Sequence, residues 1–208
     1  MKPSIEEIEF HGIAALRLNG PRGASAVVSK LGAQVLSWVT PDGRERLFLS
    51  DKAVFDGSVA IRGGIPVCWP QFAGLGELPK HGFVRTLPWQ VSAQRGGDDY
   101  ALLTLEVADD ATTRALWPHA FHLELTVMLE ADRLDLELSV NNTGDSAFAF
   151  TGALVSISST GSGTAAFSFT GATVTAGVIS AWLSSLLFSA VSCNLSVRLL
   201  IPLPIRTA

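Results

Sequence analysis

The chain has 208 residues and a formal net charge of −4, with a sequence pI near 5.5. That balance removes the broad electrostatic attraction on which nucleic-acid binding relies, so no nucleic-acid partner is expected and any anionic ligand needs a local basic cluster. The length suits one substantial core, and all-β domains of this size often form a single unit.

The N-terminus, Met1-Lys2-Pro3-Ser4-Ile5-Glu6-Glu7, has acidic residues where a secretory signal needs an apolar stretch, so a cytoplasmic location is expected. Ala26 to Val39 reads as a strand. Gly96-Gly97-Asp98-Asp99 reads as a turn leading into a second strand from Tyr100 to Val107. A helical turn is expected only at Asp109 to Leu116. In Phe121 to Leu129 the odd positions are apolar and the even ones mostly polar, the period of a strand with one face on a core. After Ala131-Asp132-Arg133 the same alternation returns from Leu134 to Val140, and Asn142-Thr143-Gly144 supplies turn chemistry before Phe148 and Phe150. Regular strands with such punctuation predict an all-β sandwich. Cys68 and Cys193 are far apart and lack histidines at ligand spacing, so neither a disulfide nor a metal site is expected.

Composition changes near residue 155. All 19 Asp and Glu, all four His and 13 of the 15 Lys and Arg lie in residues 1–154, and residues 156–197 hold no charged side chain. A folded domain normally draws about a quarter of its residues from the charged types, because its outer face stays wet. Two units are therefore expected: residues 1–154, and an aberrant, Ser-rich tail at 155–208 that reads as out of frame or replaced. Two rival readings of the tail are a buried Ser/Thr-rich strand layer and a membrane segment from Gly171 to Val191, whose serines and threonines argue against insertion.

The segment that carries chemistry is Ala60-Ile61-Arg62-Gly63-Gly64-Ile65-Pro66-Val67-Cys68-Trp69-Pro70-Gln71-Phe72, followed by Leu78-Pro79-Lys80-His81-Gly82-Phe83-Val84-Arg85. Gly63-Gly64 allows close backbone approach, and Pro66 and Pro70 stiffen the loop beyond. Arg62, Lys80, His81 and Arg85 would place up to four donors around one site; a guanidinium fork and an ammonium point charge both suit phosphate. Trp69, Phe72 and Trp89 would offer flat faces to a sugar ring. Each has a plainer reading: a salt-bridge partner for the arginine, a structural His81, and core tryptophans. Their joint occurrence favours a binding site.

The strings RGGIPVCWPQF, KHGFVR with LPW behind it, WPHAFHLELTV and VNNTGDSAFAFTGAL resemble, in the same order, the glucose-6-phosphate 1-epimerases, or hexose-6-phosphate mutarotases, of the aldose 1-epimerase superfamily. The resemblance covers nearly all of residues 5–154 and implies a galactose-mutarotase-like β-sandwich (supersandwich), incomplete at its C-terminus. It implies an isomerase of carbohydrate metabolism interconverting the α and β anomers of a hexose 6-phosphate, most simply glucose 6-phosphate, with no cofactor or metal; the sequence does not define the oligomeric state, and a monomer is the simplest expectation. Arg62 and Arg85 would then contact phosphate or sugar oxygens, with Lys80 and His81 beside them. In such enzymes a histidine protonates the ring oxygen and a glutamate takes the anomeric proton, each contributing about 10² to 10⁴ in rate.

By the same resemblance the catalytic histidine should directly follow FTGAL, where this chain has Val155, and the glutamate should lie near the C-terminus. No histidine follows His122 and no carboxylate side chain follows Asp145. No catalytic residue is therefore assigned, and impaired activity is expected, with a non-catalytic sugar-phosphate binding module as the alternative. His119 and His122 are read as structural. A sandwich short of closing strands would expose sheet edges and tend to associate.

Overall fold

The computed structural model describes residues 2–160, 164–176, 188–190 and 194–202, with side chains described only as far as Val155. The chain opens with β1 (Ser4–Phe10) and β2 (Ile13–Asn19), antiparallel about a His11-Gly12 turn in which both residues have positive φ. β3 (Ser25–Ser29) and β4 (Val35–Val39) follow and complete a sheet of order β1-β2-β3-β4. The single strand expected from Ala26 to Val39 is thus a hairpin. Gly32 at φ 70° and Ala33 at φ 48° turn the chain back, and backbone bonds to a distant loop hold that turn.

After the two-residue β5 (Val67–Cys68) come β6 (Gln90–Gly96) and β7 (Ala101–Ala108), then α1 (Ala111–Leu116). This helix stands where the helical turn was expected, begun by a reciprocal capping box: Thr113 N donates to Asp110 Oδ1 and Asp110 N to Thr113 Oγ1, at 2.7 and 2.8 Å. β8 (Phe121–Leu129) and β9 (Arg133–Asn142) form the meander that the alternation predicts, paired from Phe121–Asn142 to Leu129–Leu134.

β10 (Phe148–Thr160) runs on through residue 154, pairing Leu154 with Val67 and Ala153 with Cys68 of β5. β11 (Thr164–Ala176), β12 (Phe188–Ala190) and β13 (Asn194–Pro202) complete the described backbone. They extend the other two sheets, of order β11-β12-β10-β5 and β13-β9-β8-β7-β6. Of the stretch weighed as a membrane segment, residues 171–176 and 188–190 are strand and the remainder lies outside the described residues. No helix among the described residues is long and apolar enough to cross a membrane.

The architecture is the expected all-β sandwich. Its core is built from the inward positions of β7, β8 and β9, where Leu103, Leu105, Phe121, Leu123, Leu125, Val127, Leu129, Leu134 and Leu136 are fully buried. Each such side chain contributes about 1.5–3 kcal/mol relative to exposure, and sliding any strand by one residue would turn its whole set to solvent. The register is fixed by that penalty. Trp69, Phe83, Trp89, Phe148, Phe150 and Leu154 join the same cluster, so the loops that hold the candidate site grow directly out of the core.

Candidate functional site

The basic residues at 80, 81 and 85 sit on a loop that starts at Trp69 and is pinned to β10. Thr151 N donates to Pro70 O at 2.9 Å, and Phe72 N donates to Thr151 Oγ1 at 2.7 Å. Gln71, nearly fully buried, ties the loop to itself: its Nε2 donates to Leu78 O and its Oε1 accepts from Leu78 N, each at 3.0 Å. The returning arm closes on the core, with Phe83 N donating to Trp69 O at 3.2 Å.

His81 lies at φ 69° in this frame. Its N–H donates to Ala73 O at 3.0 Å, while Ala73 N–H donates back to His81 Nδ1 at 3.2 Å. Nδ1 is thereby an acceptor, so the ring proton of the neutral imidazole sits on Nε2. Partial burial, together with the positive charges of Arg85 and Lys80, lowers the His81 pKa below its ordinary 6.5. The Arg85 guanidinium folds back so that Nη2 donates to Lys80 O at 2.7 Å, while its Nε is buried with no hydrogen-bond partner among the described residues. Such a donor costs about 1–3 kcal/mol until something accepts from it. Behind the cluster, burial raises the Cys68 thiol to about 12, partly offset by Arg85, which leaves it an inert core group.

The depressed His81 has a measurable consequence. A histidine that resists protonation when folded takes up its proton more readily when unfolded, so its neutral state adds no penalty above pH 6.5. The penalty grows as pH falls below that value towards the folded pKa. His119, also lowered by burial, acts in the same direction. Between about pH 8 and about pH 5.5 the melting temperature of the protein should fall, and His81→Asn should flatten the fall. Asn tolerates positive φ and its Oδ1 replaces Nδ1 as the acceptor. Equal pH slopes in the two proteins would remove His81 as a contributor.

Of the four basic residues singled out in the sequence, the structure thus gathers Lys80, His81 and Arg85. Arg62 arrives on a separate loop with an exposed side chain; its carbonyl accepts from Ser50 N at 3.0 Å. Trp69 and Trp89 do not offer faces to a ligand. They are 0% and 2% exposed, Trp69 packed among aromatic rings and Trp89 donating its Nε1 to Val84 O at 3.0 Å. Phe72 remains half-buried with its ring 5.3 Å from that of His81.

His119 packs against the rings of Trp117 and Phe148, and His122 meets Glu106 at 3.2 Å on the outer face of the five-stranded sheet. The latter pair borders a 320 Å³ cleft, and a 570 Å³ cleft lies between Gln71, Leu78, Trp117 and Phe150. None of the four basic residues lines either cleft. Val155 follows the β10 residues paired with β5, and no group of His, Cys, Asp and Glu among the described residues is arranged to hold a metal ion. Sequence reasoning missed Gln34 and Thr151, which support the site loops from outside. A polar residue two positions after Gly32, inside an otherwise apolar run, was the available signal for Gln34.

A largely antiparallel sandwich of this kind is the fold of the galactose-mutarotase-like proteins. Residues 14–157 match the aldose 1-epimerase family model, and the chain belongs to that family. Over 132 residues it is 39% identical to a protein of Salmonella typhimurium named "putative glucose-6-phosphate 1-epimerase", covering 62% of this chain and 43% of that one. Among solved structures, a "putative mutarotase" from Salmonella typhimurium is 33% identical with a TM-score of 0.68, covering 76% of this chain and 52% of that one. A galactose mutarotase-like protein from Clostridium acetobutylicum shares the fold at a TM-score of 0.64 and 18% identity, over 76% of this chain and 54% of that one. The chain therefore spans about half the length of the proteins it matches.

Proposed function

We propose that the chain recognises a hexose 6-phosphate, with glucose 6-phosphate the first ligand to test, through Lys80, His81 and Arg85, joined by Arg62. The observation that carries this reading is the clustering of three cationic or donor side chains, with Arg85 Nη2 on the Lys80 carbonyl and the charges of Arg85 and Lys80 both acting on His81. A phosphate dianion suits such a cluster, since a guanidinium and an ammonium both donate to its oxygens. The relative of Salmonella typhimurium named for glucose 6-phosphate supports the choice of sugar.

Interconversion of the α and β anomers needs one group to protonate the ring oxygen and another to take the anomeric proton. Val155 can do neither, and residues 156–208 contain no His, Asp or Glu. Little or no mutarotase activity is therefore proposed for this chain. That same observation favours the second reading, a sugar-phosphate binding module. The division into residues 1–154 and an aberrant 155–208 is proposed on the shift in composition and the end of the resemblance at the same point, and translating the gene around codon 154 in the other frames tests it.

Two measurements decide the function. Calorimetry should show saturable binding of glucose 6-phosphate, weakened at least about tenfold by Arg85→Ala, since a charge-assisted contact is worth about 1.5–3 kcal/mol. Equilibration of pure α-glucose 6-phosphate should proceed at the buffer rate with or without the protein. Absence of binding would sink the recognition site. Clear acceleration lost in His81→Ala would instead place the proton transfers on this loop.

A further inference from the structure

Gln34 closes the turn between β3 and β4, and its side chain is fully buried. Its Nε2 donates to Ile61 O at 3.2 Å and to Gly63 O at 2.6 Å, the carbonyls on either side of Arg62. An amide nitrogen carries two hydrogens, so one side chain serves both and fixes the Ile61–Arg62 and Gly63–Gly64 peptide units, one on each side of the arginine's own carbonyl. The turn beyond is equally constrained. Gly63 and Gly64 have φ of 114° and 58°, and a Cβ on either would overlap the carbonyl oxygen of Phe48 or Val35.

The same turn holds the other arginine. Gly32 N donates to Leu87 O at 2.8 Å and Trp89 N to Lys30 O at 2.7 Å, while a Cβ on Gly32 would overlap the Arg85 carbonyl. Residues 32 and 34 are at most about 7 Å apart along the backbone. Two loops distant in sequence are therefore seated on adjacent points of one strut.

We infer that Gln34 is a positioning residue that locks the Arg62 turn onto the strut seating Arg85, so that guanidinium groups from separate loops address one anionic ligand. The inference rests on the reading of Arg62 and Arg85 as ligand groups. Gln34 itself touches no ligand.

Gln34→Met keeps length and apolar bulk and removes the donor; should it fail to fold, Gln34→His, which retains one ring N–H, supplies the comparison. In the variant, the Ser50 and Gly64 amides, bonded to Arg62 O and Phe48 O, should exchange hydrogen at least about tenfold faster than in the native protein, while β8 amides keep their protection. Unchanged exchange at both would overturn the lock. Affinity for glucose 6-phosphate should fall about tenfold in Gln34→Met, but by less than about twofold when the same change is made in Arg62→Ala. Equal losses in the two backgrounds would show that Gln34 does not act through Arg62. A native protein that binds no glucose 6-phosphate would sink the ligand reading, and with it the role towards a ligand, whereas faster exchange would still uphold Gln34 as the lock of the turn.

Discussion

Replacing Trp69 with alanine is expected to destabilise the protein by about 3–5 kcal/mol, roughly 6–20 °C in melting temperature for a chain of this length. The indole is fully buried, with ring centroids of Phe121 and Trp117 at 4.6 and 4.9 Å and that of Phe150 at 5.7 Å. These partners come from β8, the segment after α1, and β10, so no single neighbour can move in to fill the space without leaving its own strand. The site should fail with the core, because the carbonyl of Trp69 holds Phe83 N and through it the arm bearing Lys80 and His81. Trp69→Phe separates packing from polarity. The indole N–H has no hydrogen-bond partner among the described residues, so phenylalanine relieves a desolvation cost of about 1–3 kcal/mol while leaving a smaller cavity. It should stay within about 2 kcal/mol of the native protein by thermal or urea unfolding. Comparable losses for both replacements would show that the ring cluster does not organise this core.

Legibility from sequence depends on which interactions are local. β8 and β9 were legible because each has one face on the core, so the period of two is written into Phe121–Leu129 and Leu134–Val140 and survives without tertiary information. The β3–β4 hairpin was not. Lys30-Leu31-Gly32-Ala33-Gln34 bends because Gly32 and Ala33 take positive φ and because Leu87, Trp89 and Arg85 meet it from a distant loop, and none of that contact is visible in residues 26–39.

The site divides in the same way. Lys80, His81 and Arg85 are close in sequence, and a short loop was bound to keep them close in space. Arg62 is held relative to them through Gln34 and Gly32, a buried amide and a glycine whose roles exist once the hairpin has formed. Trp69 and Trp89 had two readings from sequence, ligand face or core, and burial decides for the core because an apolar ring gains more there than on an open loop.

Gly82→Ala should have the second large effect, and it reaches the site by the backbone rather than by the core. Gly82 has φ 69°, and a Cβ there would overlap the Trp69 carbonyl oxygen and the start of the following peptide. Positive φ and the forced displacement each cost about 1–3 kcal/mol, giving roughly 2–6 kcal/mol together. Gly12→Ala is the internal control: φ there is 84°, but a Cβ would meet nothing within 4 Å, so only the conformational part, about 1–2 kcal/mol, should appear. The difference between the two variants isolates the close approach of the returning arm to Trp69. That arm carries His81, whose N–H and Nδ1 both bond to Ala73, so moving Gly82 outward should break the reciprocal pair and release the ring. Loss of glucose 6-phosphate binding should then exceed what global destabilisation explains, observable at a temperature where Gly82→Ala is still folded. If Gly82→Ala and Gly12→Ala cost the same, the arm has room to spare, and the geometry that brings Lys80, His81 and Arg85 together is set elsewhere.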